Sequence, residues 1–227
     1  MNKRENLLSL LHRNGYEQVP VHFDLCPELA EKMEGMFDPD GIGIPWKNIC
    51  DSRLVPAVRE EYERYYRDLQ PGAEIDAWGV AHEKGSAAAK HMTYMRHPLD
   101  GLDSLEAVKE YPFPALKLEE EAQKRDVEAC IAAGLAPVGN MQMTIWEQSW
   151  YLRGMENLMV DMICNEPVAE YIFDTVTAIN TRRAVAFARA GVDILYLGDD
   201  VGMQRQIMMS RELYRTWLWP RLKGLID

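Results

Sequence analysis

Two stretches of this chain repeat one pattern. A helix-forming run closes on a glycine, and an apolar run of strand length follows at once: AAG-LAPVGN at 132–140 and ARAG-VDILYLG at 188–198. Glycine past a helix end takes the left-handed turn that stops the helix. Strands that alternate with helices in this way call for an α/β fold built on a parallel sheet. In such sheets function collects where the strands end, at their carboxyl edge. The second stretch runs on into GDDVG, so its strand ends in two adjacent carboxylates, Asp199 and Asp200. Adjacent carboxylates repel, which calls for a cation, a positively charged ligand or open water beside them. The plainer alternative is a pair of solvated loop residues, with Asp199 capping the turn that follows.

The rest of the chain reads in the same alternation. Asn2 with Glu5 forms a capping box for a first helix that carries Leu7, Leu8, Leu10 and Leu11 and stops at Gly15. VPVHFD (19–24) is predicted as a strand, 35–50 as a loop rich in glycine, proline and aspartate, and 56–72 as a helix with proline at its start. EIDAWGVAH (74–82) is a second predicted strand, and 83–102 shows no clear periodicity. Helices over 116–134, 149–164 and 167–190 flank LAPVGNMQM and VDILYLG, the third and fourth strands. Ser210 caps a last helix. This layout gathers Asp24, Asp76, Trp78, Asn140, Gln142, Asp199 and Asp200 on one rim as candidate site residues. His22 joins Asp24, because alternate residues of a strand share a face. Trp78 and Trp146, near strand ends, either flank a flat ligand or plug the top of the sheet. Met141, Met143, Met155, Met159 and Met162 read as adaptable core filler.

Composition excludes several classes. The 227 residues carry a net charge of −11 without a basic run, which argues against nucleic acid and against anionic membrane surfaces. No stretch has the apolar length of a membrane span, and the amino terminus is a charged amphipathic segment, not a secretory signal. Cys26, Cys50, Cys130 and Cys164 are scattered, without a C-x-x-C pair. Free thiols and a cytoplasmic location are the expectation. His82, His91 and His97 match no zinc-ligand spacing and read as loop or packing residues.

Three stretches together carry a family resemblance: IDAWGVAH with its W-G-V, YLRGMENLMVDMIC with its R-G-M-E-N, and GDDVGMQRQIMMSRELYRTWLWPRLKGLID with its G-D-D-x-G. They resemble the uroporphyrinogen decarboxylase superfamily, and within it the branch of cobalamin-dependent methyltransferases. The resemblance implies a TIM-type (β/α)8 barrel with its active site at the strands' carboxyl ends. The decarboxylase's own fingerprint is missing. No arginine occurs between Arg13 and Arg53 to hold substrate carboxylates. Its tyrosine would fall near Ile145, and its strand-end serine matches Asp200. An acidic rim without that clamp suits a polycarboxylate tetrapyrrole poorly.

The methyltransferase branch implies zinc, held by a His-x-Cys pair and a later cysteine, that activates a thiol toward a corrinoid methyl group. No His-x-Cys occurs here, so no metal ligand is assigned in this chain. Four predicted strands against the eight of a barrel lead to the expectation that 1–227 is the first half or so of such a domain. The function implied is corrinoid-linked methyl transfer by the full-length enzyme. A uroporphyrinogen III decarboxylase-type tetrapyrrole enzyme, or a non-catalytic remnant, are the alternatives. A small-molecule substrate, a corrinoid protein and a second copy of the chain in a homodimer are the expected partners. Asp199 and Asp200 are the candidate catalytic residues.

Overall fold

The structure, a computed structural model, describes residues 1–20, 27–33, 44–85 and 93–227. They form a mixed α/β fold whose contacts divide into two compact units.

The first unit comprises 1–51, 119–140 and 186–196. Its amino-terminal helix α1 (Lys3–Leu11) starts at the capping box read from the sequence. The Asn2 side chain accepts the Glu5 N–H at 2.8 Å, and the Glu5 carboxylate accepts the Asn2 N–H at 2.9 Å. Helix α2 (Pro27–Met33) follows. A three-stranded sheet in the order β1-β7-β8 joins β1 (Trp46–Asn48), β7 (Ala136–Gln142) and β8 (Ile194–Gly198), the latter two running on into the second unit. Strands β1 and β7 are parallel, with Trp46 opposite Ala136 and Asn48 opposite Val138. Helix α5 (Glu120–Ala132) leads into β7 through Gly134, whose φ of +71° only glycine takes readily. Arg4 bridges to Asp193 just before β8, with both guanidinium bonds at 2.6–2.7 Å. Gly139 in β7 lies so close to Phe187 that an added Cβ would come within 2.6 Å of its ring. The close approach leaves room for no side chain.

The second unit comprises 52–118, 141–185 and 197–227. Strand β2 (Arg53–Val55) pairs antiparallel with β6 (Ala115–Lys117). Strands β3 (Glu74–Ile75), β4 (Ala81–Lys84) and β5 (Thr93–Arg96) form an antiparallel sheet. Between them and after them come α3 (Arg59–Glu63), α4 (Leu105–Lys109), α6 (Trp146–Arg153), α7 (Met155–Cys164) and α8 (Pro167–Ala190), whose last turns belong to the first unit. The chain continues through α9 (Arg211–Leu213), a π-helical turn (Tyr214–Leu218) and α10 (Trp219–Ile226). One apolar core gathers Tyr62, Trp78, Val80, Leu99, Tyr111 and Leu152 with the first half of α8. Another gathers Trp146, Leu158, Met162, Phe173, Trp217 and Leu218.

Several expectations need correction. EIDAWGVAH is a hairpin and not one strand. The Asp76 carboxylate accepts the N–H groups of Trp78 and Val80 and folds the chain back between β3 and β4. The loop predicted over 35–50 contains β1, and the unpatterned 83–102 contains β5. The helix predicted over 56–72 shrinks to five residues, and the chain beyond it turns through Asp68 at a left-handed φ of 57°. The helix predicted over 149–164 is two helices, broken at Gly154 with φ +84°. Met141 is core, whereas Met143 is exposed. The strand predicted over 19–24 lies at 21–24 outside the described residues. No helix among the described residues is long and apolar enough to cross a membrane.

At the α6–α7 break, Arg153 is buried against Asp161, with Nε donating to Oδ2 at 2.8 Å and Nη1 donating to the carbonyls of Leu99 and Leu102. Removing one partner strands the other charge, which costs about 3–5 kcal/mol. Asp161→Ala is expected to lower unfolding stability by about 3 kcal/mol, read from urea denaturation. A loss below about 1 kcal/mol would mean the guanidinium is satisfied by its carbonyls alone.

Candidate functional site

The carboxyl end of β8 is tied to the start of α6 by a closed set of hydrogen bonds. Thr144 N–H donates to Gly198 O at 2.9 Å, and Gly198 N–H returns to Thr144 Oγ1 at 3.1 Å. The Asp199 carboxylate then accepts the N–H groups of Ile145 at 2.9 Å and Glu147 at 3.0 Å. Residue 145 stands at the capping position just ahead of α6 and, being isoleucine, has no polar side chain to cap it. Asp199 supplies that cap from 54 residues further along the chain. Glu147 faces back, its Oε2 accepting the Asp200 N–H at 3.1 Å. Met143, just ahead of this segment, holds a left-handed φ of 59°, rare for a side chain of its kind and frequent beside functional sites.

Thr144, Ile145, Gly198, Asp199, Val201, Tyr214 and Leu218 line a cavity of about 220 Å³ with Leu197 and Leu222. Its walls are apolar, and its polar face is the Thr144–Asp199 end. Burial pushes the Asp199 carboxyl above its ordinary 3.8, and the backbone donors of residues 144–147 pull part of the way back. Burial likewise raises Glu147 above 4.5. The Asp200 N–H opposes this, and the neighbouring charges of Asp199 and Asp200 add to it. Of these two raised carboxyls, Asp199 lines the small apolar cavity, and Glu147 is reached from it through the Asp200 backbone.

The sequence-predicted residues distribute unevenly around this place. Asp199 sits in it, and Asp200 adjoins it, exposed, with Oδ1 accepting the Gly202 N–H at 3.0 Å. Trp146 is fully buried beneath it, stacked on Phe173, with its indole N–H unpartnered. Trp78 is a core residue, and Asp76 is the hairpin former described above, 3.3 Å from His82 Nε2. Asn140 is half-buried and Gln142 exposed, both at the end of β7. His22 and Asp24 lie outside the described residues, as do Cys26 and His91. His97 donates its Nδ1–H to the Tyr151 carbonyl at 2.8 Å and packs against Trp150. Cys50, Cys130 and Cys164 are free thiols. Among the described residues no group of three or more His, Cys, Asp or Glu is placed to hold a metal ion.

The sequence reading missed Glu147, Thr144 and Tyr214. Glu147 carried a usable signal, an acid in the first turn of a helix directly after a strand. Tyr214 carried none, because its place depends on the π-helical turn.

No protein-family model matches the chain, and neither does any curated protein sequence. Among solved structures it is similar to a methyltransferase from Methanosarcina mazei, with a TM-score of 0.55 and 18% identity over 99% of this chain. The chain spans 66% of the length of that structure. At this identity the likeness establishes a shared fold.

The two raised carboxyls set a pH dependence. Their folded-state pKa values exceed the unfolded ones, so the folded state holds these protons more tightly. The stability they contribute is present below the ordinary values of 3.8 and 4.5 and is lost as the pH rises through the raised ones. Asp199→Ala removes the α6 cap and is expected to cost about 1–2 kcal/mol at neutral pH. Asp199→Asn keeps an acceptor for the same N–H groups and is expected to cost less. Against Asp199→Asn, the wild type should be favoured most in acid and progressively less as the pH climbs from about 4. Urea titrations across pH check both the order and the sign.

Proposed function

We propose that this chain is part of a uroporphyrinogen decarboxylase-like (β/α)-barrel methyltransferase, and that the intact enzyme transfers a methyl group between a corrinoid and a small acceptor such as a thiol. The observation that carries the reading is the fold likeness to a methyltransferase over nearly the whole chain. The family stretches also coincide with structural features. R-G-M-E-N contains the buried Arg153 and the helix break at Gly154. G-D-D-x-G contains Asp199 and the turn at Gly202.

In this reading the cavity beside Asp199 receives the acceptor. At about 220 Å³ it admits a small molecule and not a corrin ring, so the methyl donor stays outside it. Asp199, the carboxyl that lines this cavity, takes up the proton an acceptor thiol must lose to become nucleophilic, a role that suits a carboxyl raised above its usual range. Asp200, Gln142 and Asn140 are assigned to the rim. His22, Asp24 and Asp76 complete the proposed substrate-binding set, whereas Trp78 and Trp146 act through the core they fill. The described residues do not fit zinc, and no step is assigned to a metal.

The test is anaerobic incubation of the intact enzyme that contains this chain with methylcobalamin and a panel of small thiols, with and without added zinc. Methylcobalamin loss is followed by absorbance and methyl thioether by mass spectrometry. Product above a no-protein control is expected, reduced about tenfold or more in Asp199→Ala, a barrier change near 1.4 kcal/mol. Unchanged methylcobalamin with every thiol would reject the reading and favour a non-catalytic remnant.

A further inference from the structure

A second cavity lies beyond the strand end, and nothing in the methyl-transfer reading uses it. It measures about 500 Å³ and is lined by Val201, Ile207, Met209, Arg211, Tyr214, Arg215 and Trp219. All seven come from one local stretch. Residues 201–208 form a small hairpin, closed by a bridge between Gly202 and Ile207 and by Met208 N–H donating to the Val201 carbonyl at 2.9 Å. The other wall is α9 and the π-helical turn after it. Arg211, Arg215 and Trp219 follow at intervals of four, and the wider π turn keeps them on the cavity side.

The charge arrangement sets this cavity apart. The protein is strongly acidic, and several of its arginines are engaged in ion pairs. Arg4, Arg59, Arg96, Arg153 and Arg221 each hold a carboxylate. Arg211 and Arg215 have neither an ion pair nor a hydrogen bond among the described residues, and no carboxylate lines the cavity with them. Two guanidinium groups on one wall repel, a cost that a bound anion removes. Tyr214 and Trp219 add aromatic faces, and Val201, Ile207 and Met209 make the opposite side apolar.

We propose that this cavity binds a small organic anion, a carboxylate or phosphate carried on an apolar or aromatic body. Arg211 and Arg215 grip the anionic head, for which the planar guanidinium fork is matched. The body lies against Trp219, Tyr214 and the hairpin's apolar face. The volume is that of an ordinary small-ligand pocket. The site shares Val201 and Tyr214 with the cavity beside Asp199, but its arginines lie outside that cavity and it needs neither corrinoid nor metal.

The test is calorimetric titration of the whole chain with three probes: 2-naphthoate, phenyl phosphate, and the uncharged 2-naphthamide. Saturable 1:1 binding of at least one anion is expected, with the amide about tenfold or more weaker and the anion's affinity falling as salt rises. Arg211→Gln with Arg215→Gln should weaken the anion about tenfold per arginine and leave the amide unchanged. Both side chains are exposed, so thermal melting of this double variant should match wild type. Trp219→Ala should weaken naphthoate and naphthamide alike, by about fivefold or more. Equal binding of anion and amide, wild-type anion affinity in the folded double variant, or no saturable binding of either anion would each overturn the proposal. Methyl-transfer activity does not enter any of these readings, so its failure is separate.

Discussion

The carboxylate of Asp199 is the joint on which the strand end depends. A helix whose capping residue is isoleucine leaves its first N–H groups without a side-chain partner from that position, and burying them so would cost about 1–3 kcal/mol each. Asp199 reaches across from β8 and satisfies two of them. The same bonds fix where Glu147 stands, and Glu147 in turn holds the Asp200 backbone. A carboxylate that caps a helix is ordinarily stabilised as the anion. Here burial outweighs the cap, and the carboxyl is pushed up despite its donors. Burial and the capping donors therefore pull this one carboxyl in opposite directions.

The sequence shows the parallel part of the fold well, because helix–glycine–strand is a local pattern. Gly134 and Gly191 do adopt positive φ, and β7 and β8 lie where the apolar runs are. It shows the antiparallel part poorly. EIDAWGVAH has the composition of one strand, yet Asp76 finds the Trp78 and Val80 N–H groups and turns the chain within four residues. That choice is made by a side chain and by the core waiting for Trp78 and Val80, neither of which periodicity reports. Likewise 149–164 has helical periodicity on both sides of Gly154, and the break there is accompanied by the buried Arg153–Asp161 pair, which the sequence pattern does not report.

The site was legible in part for the same reason. Two adjacent aspartates after a strand are visible in a string of letters, but which is buried is a three-dimensional fact. Their neighbour Glu147 lies more than fifty residues earlier, brought near by the Thr144–Gly198 hydrogen bonds. The two carboxylates of the pair point to different partners. Asp199 faces backbone donors, and Asp200 faces water and the Gly202 N–H. The rim inferred from strand ends also mixed residues of different standing, since Trp78 and Trp146 are apolar bulk first.

The stretch from Val201 to Trp219 links these observations to the rest of the molecule. Val201 and Tyr214 belong to both cavities, so the wall beside Asp199 on one side is the wall beside the arginines on the other. Tyr214 opens the π-helical turn, a conformation that costs helix geometry and persists where side-chain placement offsets it. Without that inserted residue, the side chains after Tyr214 would be rotated about 100° around the axis, one residue's step of an α-helix. Trp217 and Leu218 would then leave the core they share with Phe173, and Arg215 and Trp219 would leave the second cavity. The core-facing and cavity-facing sets are thus phased by one backbone irregularity. A change that regularised this helix would disturb packing and both cavities together.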